Sequence, residues 1–186
     1  MKIPDNKTAI KILRDYKTPV HIMRHCVMVA KVSTFLGIRL RERGCNISIG
    51  LLQAGGLLHD VAKYHAIIHG GDHASMGATF LESLGYKDVA KIVRSHVHID
   101  TNELCMRKIN EAIVVNYADK RVKHTTVVSL EDRFEDLYIR YGTDNYRRKR
   151  IKELFDQTKE MEKNIFSVLH IEPDQLNEFF RRQRND

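Results

Sequence analysis

The chain has 186 residues, 42% of them hydrophobic and 30% charged, a balance that fits one soluble globular domain able to bury roughly 70% of its unfolded surface without disulfides. No basic-then-apolar leader opens it, and no apolar run approaches the about 18 residues of a membrane span, which argues against secretion and spanning. A net charge of +7 favours anionic partners, a class that takes in phosphate esters, nucleotides and RNA. Cys26, Cys45 and Cys105 form no CxxC pair and are odd in number, as expected of small packing residues in a reducing cytoplasm.

Local signals read as helix almost throughout. Pro4-Asp5 opens a short first helix. Thr18-Pro19 reads as an N-cap followed by proline at the first helical position, and the helix it begins runs to about Arg43 with Val29, Val32, Leu36 and Leu40 facing the core. Gly44-Cys-Asn-Ile-Ser48 breaks it, and Ser48 caps the next helix, which runs into Gly55-Gly-Leu-Leu-His59-Asp60. Two glycines inside a helix cost about 1 kcal/mol each, so they mark either a tolerated kink or close approach by a neighbouring helix.

After Lys63, Tyr64–Gly71 reads as an irregular loop with a glycine stop. His65 and His69 are four apart and would share one face if that stretch were helical. Asp72 caps a helix to about Leu84 that Gly85 ends; another runs from about Asp88 to His96, and Ile99–Glu103 is a connection. Asn110-Glu111-Ala112 leads into the β-branched tract Ile113-Val-Val115 and on to Asp119. Ser129-Leu-Glu-Asp132 is a capping-box variant opening a helix through Tyr141. Gly142 ends that one, and Thr143 or Asp144 begins a charged helix to about His170. Its Ile151, Leu154, Phe155, Met161, Ile165 and Leu169 keep helical spacing, suited to packing along the body or against a second copy in a homodimer. Glu172-Pro173 breaks it before a short last helix with Phe179 and Phe180. The runs Arg147–Arg150 and Arg181–Arg184 suit a solvated helix face, with a nucleic-acid patch as the alternative that is not favoured.

The most informative stretch is His59-Asp60-Val-Ala-Lys63, where two metal-binding side-chain types adjoin at the end of an apolar run. Neighbours in a helix point about 100° apart, so one ion beside the helix would need further ligands from other helices. His25 upstream and Asp119 downstream supply the types that suit divalent ions with open water positions.

With these residues in the order His, His-Asp, Asp, the sequence resembles the HD-domain superfamily of metal-dependent phosphohydrolases from roughly Thr18 to Val122, and His59–Lys63 resembles its His-Asp-(Ile/Val)-(Gly/Ala)-Lys signature. A two-metal subset adds two histidines, which His73 and His96 resemble; where some members carry a second His directly after the latter, this chain has Val97 and then His98. The resemblance implies an all-α helical bundle, with a helix at residues 1–17, the HD core at 18–125 and a helical extension at 126–186 on the same domain. It also makes Ile113–Val115 part of a buried helix.

The resemblance further implies one or two divalent ions (Mn, Fe, Co, Ni, Zn or Mg) on His25, His59, Asp60, His73, His96 and Asp119. Two such ions would hold a metal-bound hydroxide that attacks a phosphate ester or anhydride, of a nucleotide for preference. Asp60 would serve catalysis as a metal ligand. Lys63 would meet a phosphate oxygen, and of the cluster Lys120, Arg121, Lys123 and His124 one or two would be further substrate contacts and the rest surface charge. The competing readings are a non-catalytic metal and nucleotide sensor and an RNA-end phosphoesterase.

Overall fold

The computed structural model describes residues 2–99 and 108–182. The connection expected beyond Ile99, Cys105 and the end of the Arg181–Arg184 run lie outside those residues.

The described chain is helical apart from one two-stranded ribbon. α1 (Asn6–Asp15) starts where the Asp5 carboxylate accepts from the Thr8 amide. α2 (Val20–Glu42) begins one residue later than Thr18-Pro19 suggested: no side chain caps it, and the Thr18 hydroxyl donates to the Val61 carbonyl instead. Thr18 therefore fastens the start of α2 to the His59-Asp60 region. α3 (Ile49–Leu58) is capped by Ser48 and ends one residue before His59.

Tyr64–Gly71 is not the irregular loop expected. α4 (Lys63–His69) continues from the turn, and Gly70, with φ of 78°, stops it. No α4 residue is buried, so the helix lacks the apolar stripe by which it could have been read. α5 (His73–Ser83) is capped by Asp72, which accepts from the Ala74 and Ser75 amides, and α6 (Lys87–Ser95) follows, its Val89, Ala90, Ile92 and Val93 buried. α7 (Glu111–Arg121), capped by Asn110, is helical through its β-branched tract.

β1 (Val122–Lys123) and β2 (Thr126–Val127) form an antiparallel hairpin, Val122 opposite Val127, with His124 at a positive φ of 56° in its turn. α8 (Leu130–Tyr141) opens on the Ser129 cap, α9 (Asn145–Leu169) on Asp144, and α10 (Asp174–Arg182) closes the described chain. No described helix is long and apolar enough to cross a membrane, and among the described residues Cys26 and Cys45 form no disulfide.

α7 is the axis of the fold: Ile113 through Arg121 are all buried, so its polar residues must find partners inside the protein. They divide between two faces. Tyr117 and Arg121 face α9 and α10, where both reach Glu162. Asn116 and Lys120 both donate to the His96 carbonyl at the end of α6, at 2.8 and 3.2 Å.

The second close join is between α2 and α3, where a Cβ on Gly56 would stand 2.6 Å from Ala30 Cα. The glycine therefore marks close backbone approach and not an idle kink. One apolar core spans α2, α7 and the helices after it; a second lies among α1, α3, α5 and α6. Met161, Ile165 and Leu169 of α9 are buried in the first, so that stripe packs along the body.

Candidate metal centre

His25 comes from the second turn of α2, His73 from the first turn of α5, His96 from the end of α6 and Asp119 from the last turns of α7. His59 and Asp60 do not lie within a helix. They occupy the turn between α3 and α4, tightened by bonds from the Val61 amide to the Leu58 carbonyl and from the Lys63 amide to the Asp60 carbonyl. That turn lets two adjacent side chains face one point.

The six side chains converge. Asp119 Oδ1 lies 3.0 Å from His25 Nε2 and 3.5 Å from His59 Nε2. Asp60 presents Oδ2 to His59 Nε2 at 3.4 Å and Oδ1 to His73 and His96 Nε2 at 3.3 and 3.5 Å. Ligand atoms of His25, His59 and Asp60 form one group compatible with an ion, and those of Asp60, His73 and His96 form another. Asp60 is common to both.

Hydrogen bonding fixes which ring nitrogens are free. A carbonyl can only accept, so Nδ1 of His25, His59 and His96 must carry the proton given to His124, Gly56 and Val93 respectively, at 3.1, 2.9 and 2.6 Å. In the neutral rings each Nε2 then carries the lone pair; those of His25 and His59 face carboxylate oxygens, and that of His96 faces Asp60 Oδ1 at 3.5 Å and His73 Nε2 at 3.1 Å. His59 Nε2 is buried without a hydrogen-bond partner among the described residues. Lone pairs facing anionic oxygens repel unless a cation lies between them, and that cation is a proton on Nε2 or a metal ion.

The electrostatics agree in direction. Burial disfavours the His59 cation, but the Asp60 and Asp119 carboxylates outweigh it and raise its pKa well above 6.5. Burial likewise works against the Asp60 and Asp119 anions, yet His59 and Lys63 around Asp60, and Lys120 with His25 around Asp119, hold both carboxyls well below the usual range. His96 goes the other way: burial, and then the field of His59, lowers its pKa against the Asp60 carboxylate, so positive charge is favoured at His59, between the two carboxylates.

The remaining expected residues separate. Lys63 Nζ contacts Asp60 Oδ2 at 2.7 Å with its side chain 38% exposed, so it stands at the edge of the centre. Lys120 is buried between Asp119 Oδ2 and the His96 carbonyl and steadies two of the six residues. His124 is exposed, and its backbone carbonyl is what holds His25.

Arg121 does not join them. Nε donates to Val128, Nη1 to Tyr117 and Glu162, and Nη2 to Pro173 and Asn177, so every guanidinium N–H is engaged inside the protein. Two residues after Asp119 on a helix, its side chain points about 200° away, toward α9 and α10. His65 and His69 share a face of α4 with ring centroids 4.4 Å apart, outside the centre. His98 is exposed, with a pKa lowered by desolvation and then by the fields of Arg150 and Lys120. Asn116 was not among the expected residues; its spacing of four before Lys120, in a buried helix, was the available signal.

The HD domain family matches residues 22–122, more than half of the chain. An uncharacterized protein of Methanocaldococcus jannaschii is 26% identical over 161 residues, covering 80% of this chain and 94% of that protein. A tRNA (cytidine(56)-2'-O)-methyltransferase of Thermoplasma volcanium is 24% identical over 183 residues, covering 94% of this chain but 50% of that protein, so the chain spans half the length of that relative. No solved structure matches.

Proposed function

The chain belongs to the HD-domain family, and from that premise we propose that it hydrolyses a phosphate ester or anhydride of a nucleotide at a centre for two divalent ions. The observation that carries this reading is the set of three imidazole lone pairs fixed by backbone carbonyls and aimed at Asp60 and Asp119. A donor set of neutral imidazole and carboxylate suits Mn, Fe, Co, Ni, Zn or Mg. His25, His59, Asp60 and Asp119 would hold one ion, and Asp60, His73 and His96 the other. When bound, the ions would supply Lewis acidity and an acidified water as nucleophile.

The protein's own groups do the rest. Asp60 keeps the two halves of the centre in register by giving one oxygen to each. Lys120 and Asn116 fix the end of α6 and with it His96. Lys63 offers an ammonium at the rim, where it can hold a phosphate oxygen as charge develops.

A second reading, action on a phosphorylated RNA end, is favoured by one specific observation: a relative carries a tRNA methyltransferase name and is twice as long as the segment it shares with this chain. Turnover of nucleoside mono-, di- and triphosphates, a dinucleoside polyphosphate and RNA with terminal or cyclic phosphates, with each metal in turn, separates the readings. Release of phosphate from nucleotides supports the first. Activity confined to RNA ends supports the second, and metal-dependent nucleotide binding without turnover would identify a sensor.

A further inference from the structure

Beside the centre the structure carries a second concentration of positive charge. Lys123 Nζ and Arg140 Nη2 each lie 3.0 Å from Asp136 Oδ1, and Arg133 Nη1 lies 3.4 Å from Oδ2. Three cations meet one carboxylate, which leaves an excess of two positive charges. The side chains of Lys123 and Arg140 are 37% and 44% exposed over an Asp136 that is 10% exposed, so the cations lie outermost. Arg133 Nε is buried and has no acceptor among the described residues.

This cluster is tied directly to the centre. Arg140 Nη2 lies 3.3 Å from Nε2 of His124, whose carbonyl holds His25 at 3.1 Å. Arg140 is thus linked through one residue, His124, to the Nδ1 side of the His25 ring, and Lys123 is the chain neighbour of that residue. Cations crowded on too few anions bind phosphate oxygens well, because the anion relieves their mutual repulsion and Arg offers it paired N–H donors.

We propose that Lys123, Arg133 and Arg140 form a second phosphate subsite, which holds a phosphate of the substrate other than the one under attack. The proposal rests on reading the centre as a phosphohydrolase site, and it specifies the substrate as one with at least two phosphates. A nucleoside polyphosphate and an oligoribonucleotide with a terminal phosphate share that chemistry. A purely structural role for the cluster is the competing account, since Arg133 and Arg140 are neighbours of Asp136 on α8.

The test compares wild type with Lys123→Ala, Lys123→Arg, Arg140→Ala and the double alanine variant. kcat/KM is measured on a nucleoside monophosphate, its triphosphate and a terminally phosphorylated oligoribonucleotide. The expected result is that the preference for one of the last two over the monophosphate falls roughly tenfold or more in the double variant, mostly through KM, and that Lys123→Arg keeps it. Which of the two suffers identifies the source of the second phosphate. An unchanged preference overturns the subsite. Equilibrium binding of inorganic tripolyphosphate to the full chain as purified needs no turnover and so separates this proposal from the reading of the centre. Weaker binding by the double variant supports the subsite even where hydrolysis is absent, and equal or absent binding overturns it.

Discussion

Asp60 turns one oxygen toward His59 and the other toward His73 and His96, so in the proposed centre its replacement would remove a ligand from both halves. Asp60→Ala is expected to abolish hydrolysis and metal retention while the helical core around Val29, Leu36, Leu57 and Ile92 still assembles; turnover at the wild-type rate would disprove the role. Lys63 acts on the same carboxylate from the rim. If it meets substrate phosphate, Lys63→Ala should cost about 2 to 4 kcal/mol of transition-state stabilisation, or roughly 30-fold to 900-fold in kcat/KM, with metal content unchanged and part of the loss recovered in Lys63→Arg. Loss of metal in the alanine variant would make Lys63 a support for Asp60 instead.

Gly56 sets how closely α2 and α3 approach, and its carbonyl also fixes the His59 tautomer. Gly56→Ala would gain about 1 kcal/mol of helix propensity, but its Cβ would meet the Ala30 backbone, which cannot swing aside. The overpacking, typically about 1 to 3 kcal/mol, should win, lowering Tm by about 2 to 4 °C for each net kcal/mol and weakening metal binding together with it. An equally stable variant with full metal content would show that the contact is not rigid. The element boundaries were readable where a capping side chain marks them, as at Ser48, Asp72, Ser129 and Asp144, but not at Thr18, whose hydroxyl donates to Val61 and caps nothing. They were not readable at α4, which has no buried face, or at β1–β2, whose turn uses His124 at positive φ in place of the asparagine or glycine that signals a hairpin.

The molecule as a whole is held by α7, which serves the centre on one face and anchors α9 and α10 through Tyr117, Arg121 and Glu162 on the other. Burial first, and then the Glu162 carboxylate, pushes the Tyr117 hydroxyl well above its ordinary pKa of 10.0 against the opposing pull of Arg121. A folded-state value above the unfolded one means that the unfolded chain loses this proton first as pH rises. The contribution is therefore complete below about pH 10 and declines above it. The stability advantage of wild type over Tyr117→Phe, read from denaturant midpoints, should thus be larger at about pH 8 than at about pH 11; a constant gap would show that Tyr117 does not titrate as stated. The six residues that converge were legible through the resemblance to the HD family: His59-Asp60 by the signature, His73 and His96 by the helix start and helix end they stand at, and His25 and Asp119, which lie within helices, by residue type and order alone. The burial of Arg121 was not legible, because a run of basic residues after Asp119 looks alike whether its members face solvent, centre or core.

Asp60 is shared by two groups of candidate ligands, and metal stoichiometry tests that sharing directly. Elemental analysis of the reconstituted chain should find two ions for each wild-type chain and one when His73 and His96 are both replaced by alanine, because His25, His59, Asp60 and Asp119 remain. A wild-type chain that retains no ion, or one whose stoichiometry is unaltered by losing both histidines, would contradict it.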